Sequence, residues 1–492
     1  MWKVGYTIMN KRFLQIAESL TPKLIKTDIK PIEANYGRPL SAGDSVTFDF
    51  GNHYVGYVKF KFEYVGSIPD APAFIKLKFC ETAHEINENT TDYNGWISKG
   101  WIQEEYVHLD VLPASLELKR RYAFRYVKIE VLAVSQKYRL CVVNASAQAV
   151  TSADKAVEIR GKNHKEKAID KVSVRTLSEC MQLEFEDGPK RDRRLWLGDL
   201  RLQALANYAT FRQNDLVKRC LYLFAGTANE FGQVSACVFT KPSVAPDDTY
   251  MFDYSLLFIP TLLDYYRNSG DMETLEELFQ TAWNQIEVSL SKFDENGLIV
   301  DSDVMGWCFL DWVLELNKQA GAQAVYIYCA KAMREICEIL GKDTAFIEKE
   351  IEQKEVAAKN HLFDEELRLF VSGTEKQISY ASNIWFVLAG VFDRKQNAAI
   401  LNSLSSADAV KPVTPYMYHH YIQAQIDAGM RDEAYAVMMN YWGGMIEDGA
   451  DTFYELFNPD NPNESPYGSR VVNSYCHAWS CTPSYFLRSY FC

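Results

Sequence analysis

The chain has 492 residues, of which 48% are hydrophobic, and a formal net charge of −13; its pI is near 5.3. That length supports two or three domains. The acidic balance, without a basic block, works against a nucleic-acid or anionic-membrane partner and favours a neutral substrate.

The opening stretch, Met1-Trp2-Lys3-Val4-Gly5 through Arg12, intersperses charges with apolar residues. It lacks the uninterrupted apolar run and small-residue cleavage site of a leader. No segment approaches the roughly 18 uncharged apolar residues of a membrane span. Eleven cysteines, an odd number, occur without C-x-x-C pairs. They fit small buried hydrophobes in a reducing compartment, so a cytoplasmic location is expected, with no glycan at Asn89.

From Ser41 to Val150 the pattern is β. Ser45–Phe50, Tyr57–Val65, Phe74–Phe79, Glu105–Val111 and Arg125–Val131 are short runs of Val, Tyr, Phe and Ile separated by Gly, Pro, Asp and Asn, a rhythm that predicts a β-sandwich, which with an N-terminal extension takes up residues 1–150. Asp49-Phe50-Gly51 is not a kinase metal motif, because no Gly-rich loop or H-R-D precedes it. Thr151 to Lys171 is dense in charge and predicts a linker, set at 151–168, or a solvated helix.

Glu186 to Leu200 reads E-D-G-P-K-R-D-R-R-L-W-L-G-D-L. Gly188 and Pro189 break regular structure, so Asp187 to Arg194 is a loop, and a helix is expected from Leu197 through Phe211. Acids feeding a helix N-terminus beside Arg191 and against the apolar Trp196 meet unequal environments, which acid/base chemistry requires. A charged helix entry explains the same residues without any chemistry.

The remaining 320 or so residues are helical by period, as in Leu275, Leu278, Phe279, Trp283, Ile286 and Leu290. Similar stripes cross 215–228, 253–267, 320–340, 415–428 and 431–447. About a dozen helices, each with its loop taking about 27 residues, fill the length. An (α/α)6 barrel over 169–492 and a solenoid both fit that count.

Two aromatic-acidic clusters precede helices: Asp247 to Asp253, and Gly306-Trp307 through Asp311-Trp312. Flat aromatic walls with carboxylates between them suit the C–H faces and hydroxyls of a sugar, although packing with Asp at a helix cap accounts for them equally. Metal chemistry finds no H-E-x-x-H, and His419 and His420 point about 100° apart on a helix. No cofactor is expected. A serine nucleophile lacks its G-x-S-x-G elbow, and no nucleotide-binding glycine loop is present.

Taken together, D-G-P-x-R-D-x-x-x-W-x-G-D at 187–199 closely resembles the signature of glycoside hydrolase family 78, the α-L-rhamnosidases. Gly449-Ala450-Asp451-Thr452-Phe453-Tyr454-Glu455 and Cys476-His477-Ala478-Trp479-Ser480 are similar to that family's later motifs, and Asp49-Phe50-Gly51 and Phe124-Arg125-Tyr126-Val127 to those of its β-sandwich. The resemblance decides for the barrel. It implies an exo-acting, inverting α-L-rhamnosidase with Asp192 as general acid and Glu455 as general base. Asp187, Arg191, Trp196, Asp199, Asp253, Trp307, Asp311, Trp312, His477 and Trp479 would line the sugar site. Most of the family has Glu where this chain has Asp192, one methylene shorter. The alternatives are a glycosidase for another neutral or deoxy sugar, and a catalytically weak sugar-binding protein. Many members carry further β-domains, so this shorter chain is expected to take rhamnose-containing small glycosides or oligosaccharides and to leave surfaces for a homodimer.

Overall fold

A computed structural model describes residues 9–32, 34–304, 307–461 and 463–491. The Met1–Gly5 stretch and Gly306 lie outside the described residues. Strands β1 (Ile25–Ile29), β2 (Ser45–Gly66), β3 (Ala73–Cys80), β4 (Glu104–Leu109), β5 (Ala114–Glu117), β6 (Tyr122–Ala133) and β7 (Tyr138–Thr151) form an antiparallel sheet. Its order is β1-β7-β2-β6-β3-β4, with β5 also on β2.

The runs expected at 45–50 and 57–65 are one strand. Its register shifts between Asp49 and Tyr54, where Asp49 Oδ1 accepts the Gly51 amide at 2.7 Å and Gly51 takes φ +84°, a conformation that favours glycine. Arg125 donates twice to Asp49, at 3.0 and 3.2 Å. The D-F-G and F-R-Y-V motifs are thus two halves of one corner. The rings of Phe48 and Phe60 lie 6.1 Å apart, although a straight strand would separate them by about 40 Å. The strand therefore doubles back, and both its halves bury a common core with Ile75, Leu77, Phe124 and Ile129. Neither β1 nor the separate β7 stood out in the sequence, where exposed Lys, Asp and Thr interrupt the first.

The helices are α1 (Lys11–Ser19), α2 (His164–Cys180), α3 (Leu197–Ala209), α4 (Asn214–Gly226), α5 (Phe252–Ser269), α6 (Met272–Ser289), α7 (Asp301–Val304), α8 (Gln319–Ile339), α9 (Ala345–His361), α10 (Tyr380–Ala389), α11 (Arg394–Ser406), α12 (Pro415–Asp427), α13 (Arg431–Glu447) and α14 (Pro483–Phe486). Successive contacts join α3 to α5, α8, α10 and α12, and α14 with the 3-10 turn Ala478–Ser480 returns to α3. These helices are buried nearly all round, as α10 is along Ala381–Val387, which marks an inner position.

Two stretches depart from the sequence expectation. Residues 11–19 belong to the helical part: Asn10 N–H donates to Gly226 O at 2.9 Å, and a Cβ on Gly226 would lie 2.6 Å from Leu14. The stretch expected as linker or solvated helix holds the first turns of α2, with Glu166 and Asp170 buried. Glu166 accepts the Tyr435 hydroxyl at 2.6 Å, and Asp170 is paired with Arg488. These two acids have distant partners, while the lysines of the stretch, Lys155, Lys162, Lys165, Lys167 and Lys171, are exposed.

Among the described residues no helix is long and apolar enough to cross a membrane.

Candidate active site

The loops entering α3, α5, α8, α12 and α14 are laced together, and the acid loop is their centre. Asp187 N–H donates to Arg194 O at 2.9 Å and Asp187 O accepts the Ala478 amide at 2.6 Å. Its carboxylate closes the loop, Oδ2 accepting the Asp192 amide at 3.1 Å and Oδ1 the Arg194 amide at 3.0 Å. The motif glycines have steric reasons. A Cβ on Gly188 would lie 2.5 Å from Arg191 O, and one on Gly198 would lie 2.4 Å from the Tyr254 ring. Beyond the loop, β8 (Leu195–Trp196) pairs with β9 (Cys237–Phe239), and β9 with β10 (Ala245–Pro246). Burial, then the charge of Asp192, pushes the Asp187 carboxyl up to about 7.

Arg191 is buried and reaches both acids assigned from sequence. One amino group donates to Glu455, the other lies 3.4 Å from Asp192 Oδ1, and Nε donates to Val472 O at 2.9 Å. Its guanidinium stacks 4.0 Å from the Tyr467 ring centre, and the Tyr467 hydroxyl donates to the other Glu455 oxygen. Burial alone would raise Glu455, but Arg191, then His477 and Tyr467, outweigh it and hold the carboxyl below its usual range. Glu455 is therefore an ionised, fixed carboxylate. Asp192 is the more open of the two, its side chain 21% accessible against 4% for Glu455.

His477 faces Asp199 across 3.2 Å from Nε2 to Oδ1. Burial opposes a charge on this imidazole, yet Glu455 and Asp199 raise its pKa. Asp199 itself is pushed up by burial, against the pull of His477. The Trp479 indole donates to Glu455 O at 2.9 Å and stacks on Phe309 at 5.6 Å. Trp196 meets Tyr254 edge-on, and Trp312 meets both Phe309 and Tyr467. Among the described residues, the buried His477 Nδ1, Trp312 Nε1 and Tyr416 hydroxyl have no hydrogen-bond partner. Buried groups of that kind call for an explanation, and in a polar-lined site a ligand is one.

Three further residues expected at the sugar have other contacts in the structure. Asp253 accepts the Phe309 amide at 3.0 Å and the Leu310 amide at 3.1 Å, holding Leu310 at φ +53°. Asp311 accepts from Val413 N–H at 2.9 Å and from the Thr414 hydroxyl at 2.6 Å. Both carboxylates clamp backbone, because loop amides at the helix entries need acceptors once buried. Trp307, 46% exposed, lines a cavity of about 400 Å³ with Gln233, Asp248, Tyr250, Phe252 and Lys292, and that wall includes none of the acid-loop residues. Among the described residues no group of three or more His, Cys, Asp or Glu is arranged to hold a metal ion.

The sheet reaches this site, which sequence did not anticipate. Glu85 pairs with the buried Lys190 beside Arg191, and Lys190 also donates to Asn473 O at 2.8 Å. Glu81 accepts the Tyr475 amide at 2.7 Å. The fully buried His53 lies 3.1 Å from Glu81 and 3.8 Å from Glu179. Tyr467 was missed as well, since P-Y-G reads as a turn; no local signal marks any of these residues.

Residues 17–149 match the glycosyl hydrolase family 78 alpha-rhamnosidase N-terminal domain, and residues 154–491 match the bacterial alpha-L-rhamnosidase 6 hairpin glycosidase domain. Among solved structures, a rhamnosidase from Klebsiella oxytoca with rhamnose bound is 47% identical, with a TM-score of 0.95 over 98% of this chain and 99% of that one. The family 78 rhamnosidase of Bacillus sp. GL1 is 21% identical, with a TM-score of 0.77 over 90% of this chain and 46% of that one. An α-L-rhamnosidase from Streptomyces avermitilis complexed with L-rhamnose is 14% identical, with a TM-score of 0.69 over 95% and 44%. The last two likenesses concern the fold alone. No curated protein matches the chain by sequence.

Proposed function

The chain belongs to glycoside hydrolase family 78, and from that premise we propose that it is an exo-acting α-L-rhamnosidase that cleaves terminal α-L-rhamnose from small glycosides or oligosaccharides with inversion. The observation that carries this reading is the Arg191 bridge between Glu455 and Asp192. It gives two carboxyl groups with separate environments, one buried and held ionised, the other open to a leaving group. The Klebsiella oxytoca relative with rhamnose bound supports the choice of sugar.

In this mechanism Asp192 protonates the glycosidic oxygen while the Glu455 carboxylate takes a proton from water attacking the far side of the anomeric carbon. Arg191 and Tyr467 keep Glu455 ionised and aimed. Asp187 fixes the backbone of Asp192. His477, Trp312 and Tyr416 present unpartnered polar atoms suited to ring hydroxyls, between the faces of Trp196, Phe309 and Trp479, with Asp199 paired to His477. The inner helices returning to α3 support a closed (α/α)6 barrel for 169–492, and the doubled-back strand β2 supports a β-sandwich within 1–150, with 151–168 between them. The first turns of α2, from His164, and α1 pack with the barrel.

The test is turnover of an aryl α-L-rhamnoside. A sugar-binding protein without catalysis would raise its Tm with L-rhamnose and release no phenol; release faster from another aryl glycoside would reassign the sugar.

A further inference from the structure

Trp96 is 67% exposed on the loop between β3 and β4, and it is the sheet's contribution to the rim of the acid site. Its ring lies 5.5 Å from that of Tyr467, the residue whose hydroxyl holds Glu455 and whose face carries Arg191. The loop is fixed there. Trp96 N–H donates to Tyr467 O at 3.2 Å, and the indole N–H donates to Pro466 O at 2.8 Å. The Tyr93 hydroxyl closes the loop on Ile97 O at 3.0 Å. Gly95 permits the approach, since a Cβ there would lie 2.6 Å from Tyr467 O. Tyr93 is close enough to Arg191 that its charge acts on the phenol, although burial dominates and raises it.

A large aromatic ring anchored through its polar edge and open on a face is arranged for stacking, not for core packing. Its preorganisation means that little rotamer freedom remains to be lost on binding. The Tyr467 ring that Trp96 meets carries the Arg191 guanidinium, whose second amino group lies 3.4 Å from Asp192, the more open of the two carboxyls. The group protonated by Asp192 is the leaving group. We propose that Trp96, with Tyr93 and Gly95 holding its loop, is the platform for a ring-bearing aglycone, a sugar or an aryl group, and so sets leaving-group specificity from the N-terminal domain. This rests on the glycosidase reading above.

The experiment compares Trp96→Ala with the parent enzyme on a rhamnosyl-glucoside, an aryl rhamnoside and methyl α-L-rhamnoside. Stacking of the usual strength predicts an about 3- to 10-fold loss in kcat/KM on the two ring-bearing substrates. Methyl α-L-rhamnoside and inhibition by L-rhamnose should change less than about twofold, Trp96→Phe should retain most activity, and Gly95→Ala should follow Trp96→Ala. Equal losses on all three substrates, or none, would overturn the assignment. Calorimetric binding of the same glycosides to Asp192→Asn, with and without Trp96→Ala, reads the platform without turnover. Failure of the parent enzyme to hydrolyse any rhamnoside would sink the glycosidase reading, whereas ring-independent binding in that titration would sink this one alone.

Discussion

Arg191 and Glu455, 264 positions apart, form a buried ion pair. The cation works in two directions at once, lowering the carboxyl of Glu455 while its second amino group faces Asp192.

The acid limb of kcat/KM should therefore belong to Glu455. Removing the cation with Arg191→Met raises that carboxyl, so the base stays protonated to higher pH and the limb moves up by about 1–3 units. Arg191→Lys should move it less, because it keeps the charge and loses the fork. A limb that stays in place in both variants would detach Glu455 from the pH profile.

The two carboxyl groups should separate by substrate. Asp192→Asn should lower turnover of an unactivated glycoside by the order of 10²-fold or more while sparing a nitrophenyl glycoside, and Glu455→Gln should impair both about equally. Asp192→Glu should lower activity if the loop already places the shorter acid correctly. Equal, mild effects across these variants would take both residues out of the chemistry.

The sheet's grip on the acid loop can be measured apart from stability. Glu85→Gln leaves Lys190 buried without its carboxylate and should cost about 3–5 kcal/mol in chemical denaturation. Glu85→Leu with Lys190→Met should restore much of that stability, since an apolar pair can replace a buried ion pair. Its kcat should nonetheless stay low, because the tether beside Arg191 is gone. Full recovery of both would make the pair purely structural.

His53 predicts a pH dependence of Tm. Burial opposes its charge, but the Cys476 sulfur and the Glu179 and Glu81 carboxylates raise its pKa well above the ordinary value. A raised histidine contributes stability that is fully present below its unfolded pKa of about 6.5 and lost as pH rises through the folded value. Tm should thus fall on the alkaline side, and His53→Gln should flatten that fall. An unchanged slope in the variant would place the dependence on other groups.

The stereochemical outcome is read by proton NMR before mutarotation. With a guanidinium between them, the two carboxyl groups are expected to be roughly 6.5–9.5 Å apart, the inverting range. β-L-rhamnose should then appear first from an α-linked substrate. Initial α-anomer, or retained transfer to methanol, would require a covalent intermediate and falsify the assignment of Glu455 as base.

Local order was legible in the sequence. Gly188 and Pro189 set the acid loop, Leu197 onward set α3, and the aromatic alternation set the strands, because turn chemistry and side-chain period act within a few residues. The motifs also marked Asp192 and Glu455 together with Arg191, His477 and Trp479 around them. Tertiary structure alone decided what each carboxylate touches. Asp253 and Asp311 have the same local appearance as Asp199, yet their oxygens are taken by amides at Phe309, Leu310, Val413 and Thr414. Nothing local marks Lys190 for burial in its arginine-rich loop, yet Glu85, in the turn after β3, pairs with it. Hydrogen bonds and ion pairs depend on atoms within a few ångströms, and the chain brings those atoms together from positions about 50 to 400 residues apart, beyond what any local pattern encodes.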